Sequence, residues 1–408
     1  MRRATLASIG GNVLEYFDFI MYAHFAREIG STFFPPGVRF SQTTAALAAF
    51  GLTCCARPVG AWILGGYADR KGRLRSLRVS IVIMTTATFV LATVPGYARI
   101  GLLAPVVIML ARFCQGLSMG GEFGSATAFL IESRPAHATR AASWQAIGQI
   151  LASLGALAVT FGLRQVLPAG ASDETGFRIA FGIGTLLGIL ALLARMGAEP
   201  TPPRGPAARG MPAPPADARF CLRVVTVGSM VALGAGITYF GLAMLAYAQS
   251  ELHVPADIPL YASVISVVGQ LAFTPLRWRL ANRFDRTGRI VPSLAGCGLV
   301  AVLSLCAACA VGRHPGLVLV LPLGLNLLGL SYFAPLDGQM GLVFPAAQRG
   351  RGLAIGYACG VVLFGTLLPF LIGWLSGGVP VVRSWVLYLM CLSILSAMAV
   401  AQAARFRV

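Results

Sequence analysis

The chain has 408 residues, of which 57% are hydrophobic and only 11% charged, and its mean hydropathy is +0.77. That composition excludes a soluble globule of this size, which would need far more polar surface, and places the chain in a bilayer. The formal net charge of +18 is not gathered into one basic domain, so no nucleic-acid partner is implied.

A span needs about 20 mostly apolar residues, because every backbone N–H and C=O must be satisfied internally once water is gone. Runs of that kind predict an all-α integral membrane protein of twelve transmembrane helices, at about 5–28, 43–66, 77–94, 101–131, 143–167, 177–196, 221–249, 257–280, 290–311, 315–344, 351–375 and 383–404. Between the sixth and seventh, Pro202, Pro203, Pro206, Pro212, Pro214 and Pro215 prevent a helix and predict an extended linker. The expected domains are an N-terminal six-helix bundle at 1–197, a Pro-rich linker at 198–220 and a C-terminal six-helix bundle at 221–408. The halves read as pseudo-symmetric. The charged turn Gly65-Gly66-Tyr67-Ala68-Asp69-Arg70-Lys71-Gly72-Arg73 returns as Ala281-Asn282-Arg283-Phe284-Asp285-Arg286-Thr287-Gly288-Arg289, about 216 residues later, close to half the chain.

Most arginines fall on alternate connections and at the ends, which by the positive-inside rule makes both termini and the linker cytoplasmic in a multi-pass inner-membrane protein. Anionic membrane lipids then balance the excess charge. Met1-Arg2-Arg3 precedes a stretch containing Glu15 and Asp18, which reads as an uncleaved first helix rather than a signal peptide. The nine cysteines lie in or beside spans and read as buried apolar packers, not disulfides. The histidines His24, His137, His253 and His314 show no metal spacing, and no nucleophile, base and orienter assemble into an enzyme site.

Ionisable side chains inside a span are costly and therefore mark function. In the first helix Glu15, Asp18 and Tyr22 share one face through their i, i+3 and i+4 spacing. Arg112 in the fourth helix reaches a depth similar to Asp18 when both are counted at about 1.5 Å per residue. The two can pair. A carboxylate beside a guanidinium keeps its charge, whereas one left alone in a low-dielectric site takes a proton, so drawing the arginine away loads a proton. Proton coupling is accordingly expected of Asp18, Glu15 and Arg112, against the simpler alternative of a fixed interhelical ion pair. Solute contact is expected of Asn12, Tyr22, Arg57, Arg112, Gln115, Glu122, Gln149, Tyr239, Tyr332 and Asp337. Arg57 meets either a solute anion or a first-helix acid, and Asp337 either lines a cavity or satisfies backbone loosened by Pro335.

The chain resembles the major facilitator superfamily and, within it, the metabolite:proton symporters of the citrate, dicarboxylate, shikimate and proline/betaine type. The likeness rests on Gly11-Asn12-Val13-Leu14-Glu15-Tyr16-Phe17-Asp18-Phe19, Ala56-Arg57-Pro58-Val59-Gly60, the Gly65 to Arg73 turn, the run Arg112 to Gly124, Ser143-Trp144-Gln145, and Phe344-Pro345 leading to Tyr357. The resemblance implies two bundles around a central cavity and an alternating-access monomer that needs no cofactor beyond a proton gradient. It also implies a gating latch of Gly65, Asp69, Arg70, Gly72 and Arg73, with Asp69 facing the start of the eleventh helix and Arg73 reaching Glu132. The second copy, Asp285, Arg286, Gly288 and Arg289, is expected to latch more weakly, because Ala281 replaces a glycine and Leu342 stands where the family usually has an acid. The function it implies is symport of protons with a small organic acid, most directly a di- or tricarboxylate such as citrate. A zwitterionic osmolyte and a non-transporting sensor are the alternatives.

Overall fold

The computed structural model describes residues 2–35, 42–167, 172–197, 217–250, 257–310, 314, 316–367 and 381–406. The prolines Pro202 to Pro215 of the expected linker, and the last part of the expected eleventh span, lie outside the described residues. What is described is helical throughout: α1 (Arg2–His24), α2 (Ala26–Phe33), α3 (Gln42–Lys71), α4 (Arg73–Thr93), the single turn α5 (Tyr97–Ile100), α6 (Leu103–Ser133), α7 (Ala138–Ala142), α8 (Trp144–Val166) and α9 (Ser172–Met196). There follow α10 (Ala218–Ser250), α11 (Asp257–Ala272), α12 (Thr274–Thr287), α13 (Val291–Ala310), α14 (Leu317–Leu328), α15 (Leu330–Leu342), α16 (Arg349–Gly360) with a π-helical continuation at Val361–Leu367, and α17 (Val381–Ala403). Among the described residues, 9 helices are long and apolar enough to cross a bilayer, and a bent pair adds one more.

Described helices fall at each expected position, but those at the first and eighth are not among the helices long and apolar enough to cross, and three breaks appear that hydropathy alone does not predict. The first span divides at Phe25 into α1 and α2, and nothing in the local sequence accounts for it. The eighth divides at Phe273, where Pro275 opens α12 at a position in which its missing N–H costs nothing. The tenth bends by 63° between α14 and α15. Its break falls at Gly329, not at Pro335, which lies inside α15.

The described residues cluster into two compact units, one within Met1–Phe129 and Gly148–Ala213, the other within Leu130–Ile147 and Pro214–Val408. The stretch Leu130–Ile147 thus packs with the second unit, although it lies in the N-terminal half of the sequence. Lipid tails offer no hydrophobic drive for helix association, so helices must approach closely enough for dispersion to hold them. In the first unit small residues allow this between α3 and α6: a Cβ added at Gly60 would lie 1.9 Å from the Leu117 carbonyl oxygen, and one at Gly120 would lie 2.0 Å from that of Arg57. In the second, a Cβ at Gly360 of α16 would lie 2.6 Å from the Gly228 carbonyl oxygen of α10. Outward faces are apolar. On α9, Leu186, Leu190 and Leu193 recur at helical spacing and are exposed, as a lipid-facing stripe requires. Of the cysteines only Cys54 and Cys297 are buried and six are exposed, which corrects the expectation of buried thiols. All nine are free of disulfides.

Both charged turns depend on a left-handed glycine. Gly72 has φ 100° and Gly288 φ 61°, conformations that a Cβ disfavours. This explains why glycine stands at the same place in both copies while the residues around it differ.

Candidate functional site

Asp18 and Arg112 meet inside the first unit as their depths predict. Arg112 donates from Nη1 to Asp18 Oδ2 at 2.9 Å, and both side chains are 1% exposed. The other carboxylate oxygen accepts from Thr88 Oγ1 of α4 at 3.1 Å, and Thr88 in turn accepts from Gln115 Nε2 at 3.1 Å. Beneath the guanidinium lies Tyr22, whose ring centroid is 3.5 Å from Arg112 Cζ, close enough for a strong cation–π contact. The Tyr22 hydroxyl is used elsewhere, donating to the Ala46 carbonyl at 3.0 Å.

The pair is incomplete. Arg112 Nε and Nη2 are buried with no hydrogen-bond partner, and so is Gln115 Oε1. A buried donor left unsatisfied is costly, and Nε with one Nη forms the side of a guanidinium that takes a carboxylate bidentately. Arg112 therefore holds Asp18 with one nitrogen and leaves its Nε–Nη2 side open.

Glu15 sits one turn before Asp18 on α1, 3% exposed, with its Oε2 buried and without a partner. Arg57 and Glu122 act on it electrostatically. Arg57, expected to meet either a solute or a first-helix acid, is buried, packs over the Phe19 ring at 5.4 Å and donates to Met119 Sδ at 3.6 Å. Asn12 is fully buried, with its amide nitrogen near Gly148 of α8, and Gln149 beside it is half-buried.

Other expected solute contacts have partners of their own. Glu122 gives its carboxylate to Arg195, which is fully buried at the end of α9, and to the Ser80 hydroxyl. Both oxygens are occupied, which corrects the placement of Glu122 facing solute. In the second unit the Tyr332 hydroxyl donates to the Met230 carbonyl, and Tyr239 is half-buried against Gly365. Asp337 lies on α15, where the charge acting on it is Arg277 of α12, itself 7% exposed.

Arg195 and Arg277 escape a reading of the sequence because each lies near a helix end and counts among the topological arginines. Only the partner, 73 positions away in the first case, reveals the role. Trp144, which an interfacial belt explains from sequence alone, instead packs on Trp278 with ring centroids 5.2 Å apart.

The turns hold together locally. In the first, Arg73 pairs with Asp69 one helical turn away, Arg70 Nε donates to the Gly66 carbonyl at 3.1 Å, and Gly65 is buried. The described ion-pair partner of Glu132 is Arg349, at 3.6 Å, where the resemblance implies Arg73. In the second turn Asp285 accepts from the backbone N–H of Thr139 at 2.9 Å and of Arg140 at 3.0 Å, while Arg286 and Arg289 are exposed. The expectation that Ala281 weakens this copy is not met at Asp285, since a carboxylate on two backbone donors is a strong, charge-assisted arrangement. Ala281 is fully buried, so its methyl is accommodated.

Comparison with known proteins identifies the family. The family profile of the Major Facilitator Superfamily matches residues 9–362. A citrate-proton symporter of Salmonella typhi is 30% identical over 378 residues, covering 90% of this chain and 85% of that protein. The proline/betaine transporter of Escherichia coli (strain K12) is 28% identical over 393 residues, covering 92% and 78%. Among solved structures, the proton:xylose symporter XylE superposes with a TM-score of 0.77 at 19% identity, covering 97% of this chain and 94% of that one, a likeness of fold. With a family profile over most of its length, the chain belongs to the Major Facilitator Superfamily and is a multi-pass membrane transporter, not an enzyme.

Proposed function

We propose that this proton-coupled transporter moves a small organic acid, a di- or tricarboxylate such as citrate, into the cell across the inner membrane by alternating access, with both termini cytoplasmic. The observation that carries the reading is the half-satisfied Arg112: one nitrogen on Asp18, with Nε and Nη2 buried and open. An arriving carboxylate fits that fork and competes with Asp18 for the guanidinium. As Asp18 loses its counter-charge it binds a proton, so solute and proton enter together. Glu15, a second buried carboxyl with an oxygen to spare, can carry another.

Voltage makes the second proton useful. A charge crossing 100 mV is worth about 2.3 kcal/mol, so an imported dianion opposes an inside-negative potential by about twice that unless two protons accompany it. A zwitterionic osmolyte is less well served. Its ammonium would need an aromatic cage, yet Tyr22 already carries the Arg112 guanidinium and Trp144 packs against Trp278. Labelled citrate and labelled betaine, offered separately to proteoliposomes under an imposed proton gradient, test the assignment. Citrate should accumulate and betaine should not; the reverse result would replace the acid with the osmolyte.

A further inference from the structure

Arg195 is among the largest side chains fully buried in the first unit. Its guanidinium reaches both oxygens of Glu122 and the Leu77 carbonyl. The Ser80 hydroxyl donates to Glu122, and Ser118 Oγ donates to the Ser80 carbonyl at 2.7 Å. The end of α9 is held as well, since Arg78 donates to the Arg195 carbonyl from Nε at 3.1 Å and Nη2 at 3.0 Å. Four helices, α1, α4, α6 and α9, thus enclose one ion pair. The fit against α1 is tight: a Cβ on Gly11 would lie 2.1 Å from Arg195 Nη2 and 2.2 Å from Glu122 Oε1. Glycine at position 11 is the notch that seats the pair.

An ion pair so deeply enclosed is weak evidence for stability, because apolar residues of the same volume often serve as well or better. Its position suggests another use. Along α1, Asp18, Glu15 and Gly11 follow one another at intervals of three and four residues, steps of about 4.5 and 6 Å. Along α4, the Asp18 partner Thr88 and the Glu122 partner Ser80 lie eight residues apart, about 12 Å, with Ser80 nearer the Gly72 turn. Glu15 is the middle rung. Its Oε2 has no hydrogen-bond partner, and the charged groups acting on it are Arg57 of α3 and Glu122 of α6.

We infer that Glu122, held by Arg195, is a proton station between Glu15 and the membrane edge at the Gly72 turn. The inference rests on the proton-coupled reading of Asp18 and Arg112. In the transfer the O–H bond of a protonated Glu15 breaks and an O–H bond forms on the Glu122 carboxylate. Negative charge moves from Glu122 to Glu15, where Arg57 faces it. Arg195 loses its anionic partner and keeps the Leu77 carbonyl. Arg195 is a positioning residue: it reaches both oxygens of the Glu122 carboxylate and re-forms the pair when the proton leaves. Ser80 fixes the receiving carboxylate.

The test uses the full-length protein in proteoliposomes with labelled citrate outside, a pH dye in the lumen and the voltage clamped at zero. The double variant Glu122→Gln with Arg195→Gln removes both charges together, leaving neither buried alone. Citrate/citrate exchange should persist while accumulation under one unit of pH difference falls at least about tenfold, the worth of one proton. Restoring the acid as Glu122→Asp beside native Arg195 should recover accumulation. Wild-type accumulation and protons per citrate in the double variant would overturn the inference, as would exchange and accumulation falling in proportion, the mark of a structural pin. If the double variant does not fold, Glu15→Gln gives the same readout without breaking an ion pair, and wild-type accumulation there refutes the relay. Wild-type protein that moves citrate without protons would instead sink the underlying symport reading.

Discussion

Replacing Arg112 with lysine separates the two roles of this side chain. A lysine ammonium keeps the positive charge that faces Asp18, so the carboxylate is not orphaned, but it cannot present the fork formed by Nε and Nη2. Those two donors are the ones without a partner. Hydrogen bonds to a charged group contribute about 1.5–3 kcal/mol each. Two of them, partly recovered by an ammonium that can still approach the anion, leave a loss of about 3 kcal/mol. At about 1.4 kcal/mol per factor of ten this is a citrate affinity roughly a hundredfold weaker. Isothermal titration of citrate into the purified protein measures it, with thermal unfolding of the ligand-free protein as the control for intact packing. Binding by Arg112→Lys within about threefold of wild type, a difference of only about 0.7 kcal/mol, would refute the assignment of the open fork to solute.

Asp18→Asn leaves Arg112 buried without its counter-ion, a change that costs about 3–5 kcal/mol. Citrate should therefore raise the melting temperature of this variant more than that of wild type. Proton-driven accumulation should be lost while counterflow exchange survives in part; equal loss of both would make Asp18 structural. Asp285→Asn weakens the hold on the Thr139 and Arg140 amides, and hydrogen exchange across Ala138–Ala142 should quicken by one to two factors of ten, about 1–3 kcal/mol. Unchanged protection would mean the carboxylate does not secure α7. Gly120→Leu drives a side chain into the Arg57 carbonyl and should abolish monodisperse protein in detergent extracts; a well-behaved variant would show that α3 and α6 need no close approach.

Much of the architecture is legible in the residues. Apolar runs locate most of the spans among the described residues, since a bilayer imposes one length and one polarity on each. Asp18 and Arg112 are found by counting residues from opposite ends, because helical rise converts position into depth. What hydropathy cannot report is direction around a helix. Glu122 looks like a site residue from its depth, yet only coordinates place it against Arg195, and Arg195 is disguised by its nearness to a basic helix end. The breaks at Phe25 and Gly329 escape for a related reason. No proline stands at either position, so the signal that marks the break of the eighth span at Pro275 is missing there. The second charged turn teaches the opposite lesson. Ala281 departs from the pattern, but the chemistry depends on Asp285 and on the left-handed Gly288, both of which are kept.

The central claim is that citrate and protons cross on one carrier cycle, and the most direct measurement is lumen pH during citrate entry into proteoliposomes with the voltage clamped at zero. The account predicts that added citrate acidifies the lumen, and that the final citrate ratio rises about tenfold per coupled proton for each unit of pH difference. Citrate concentrated equally well after a protonophore has collapsed the gradient, with lumen pH unmoved, would contradict it.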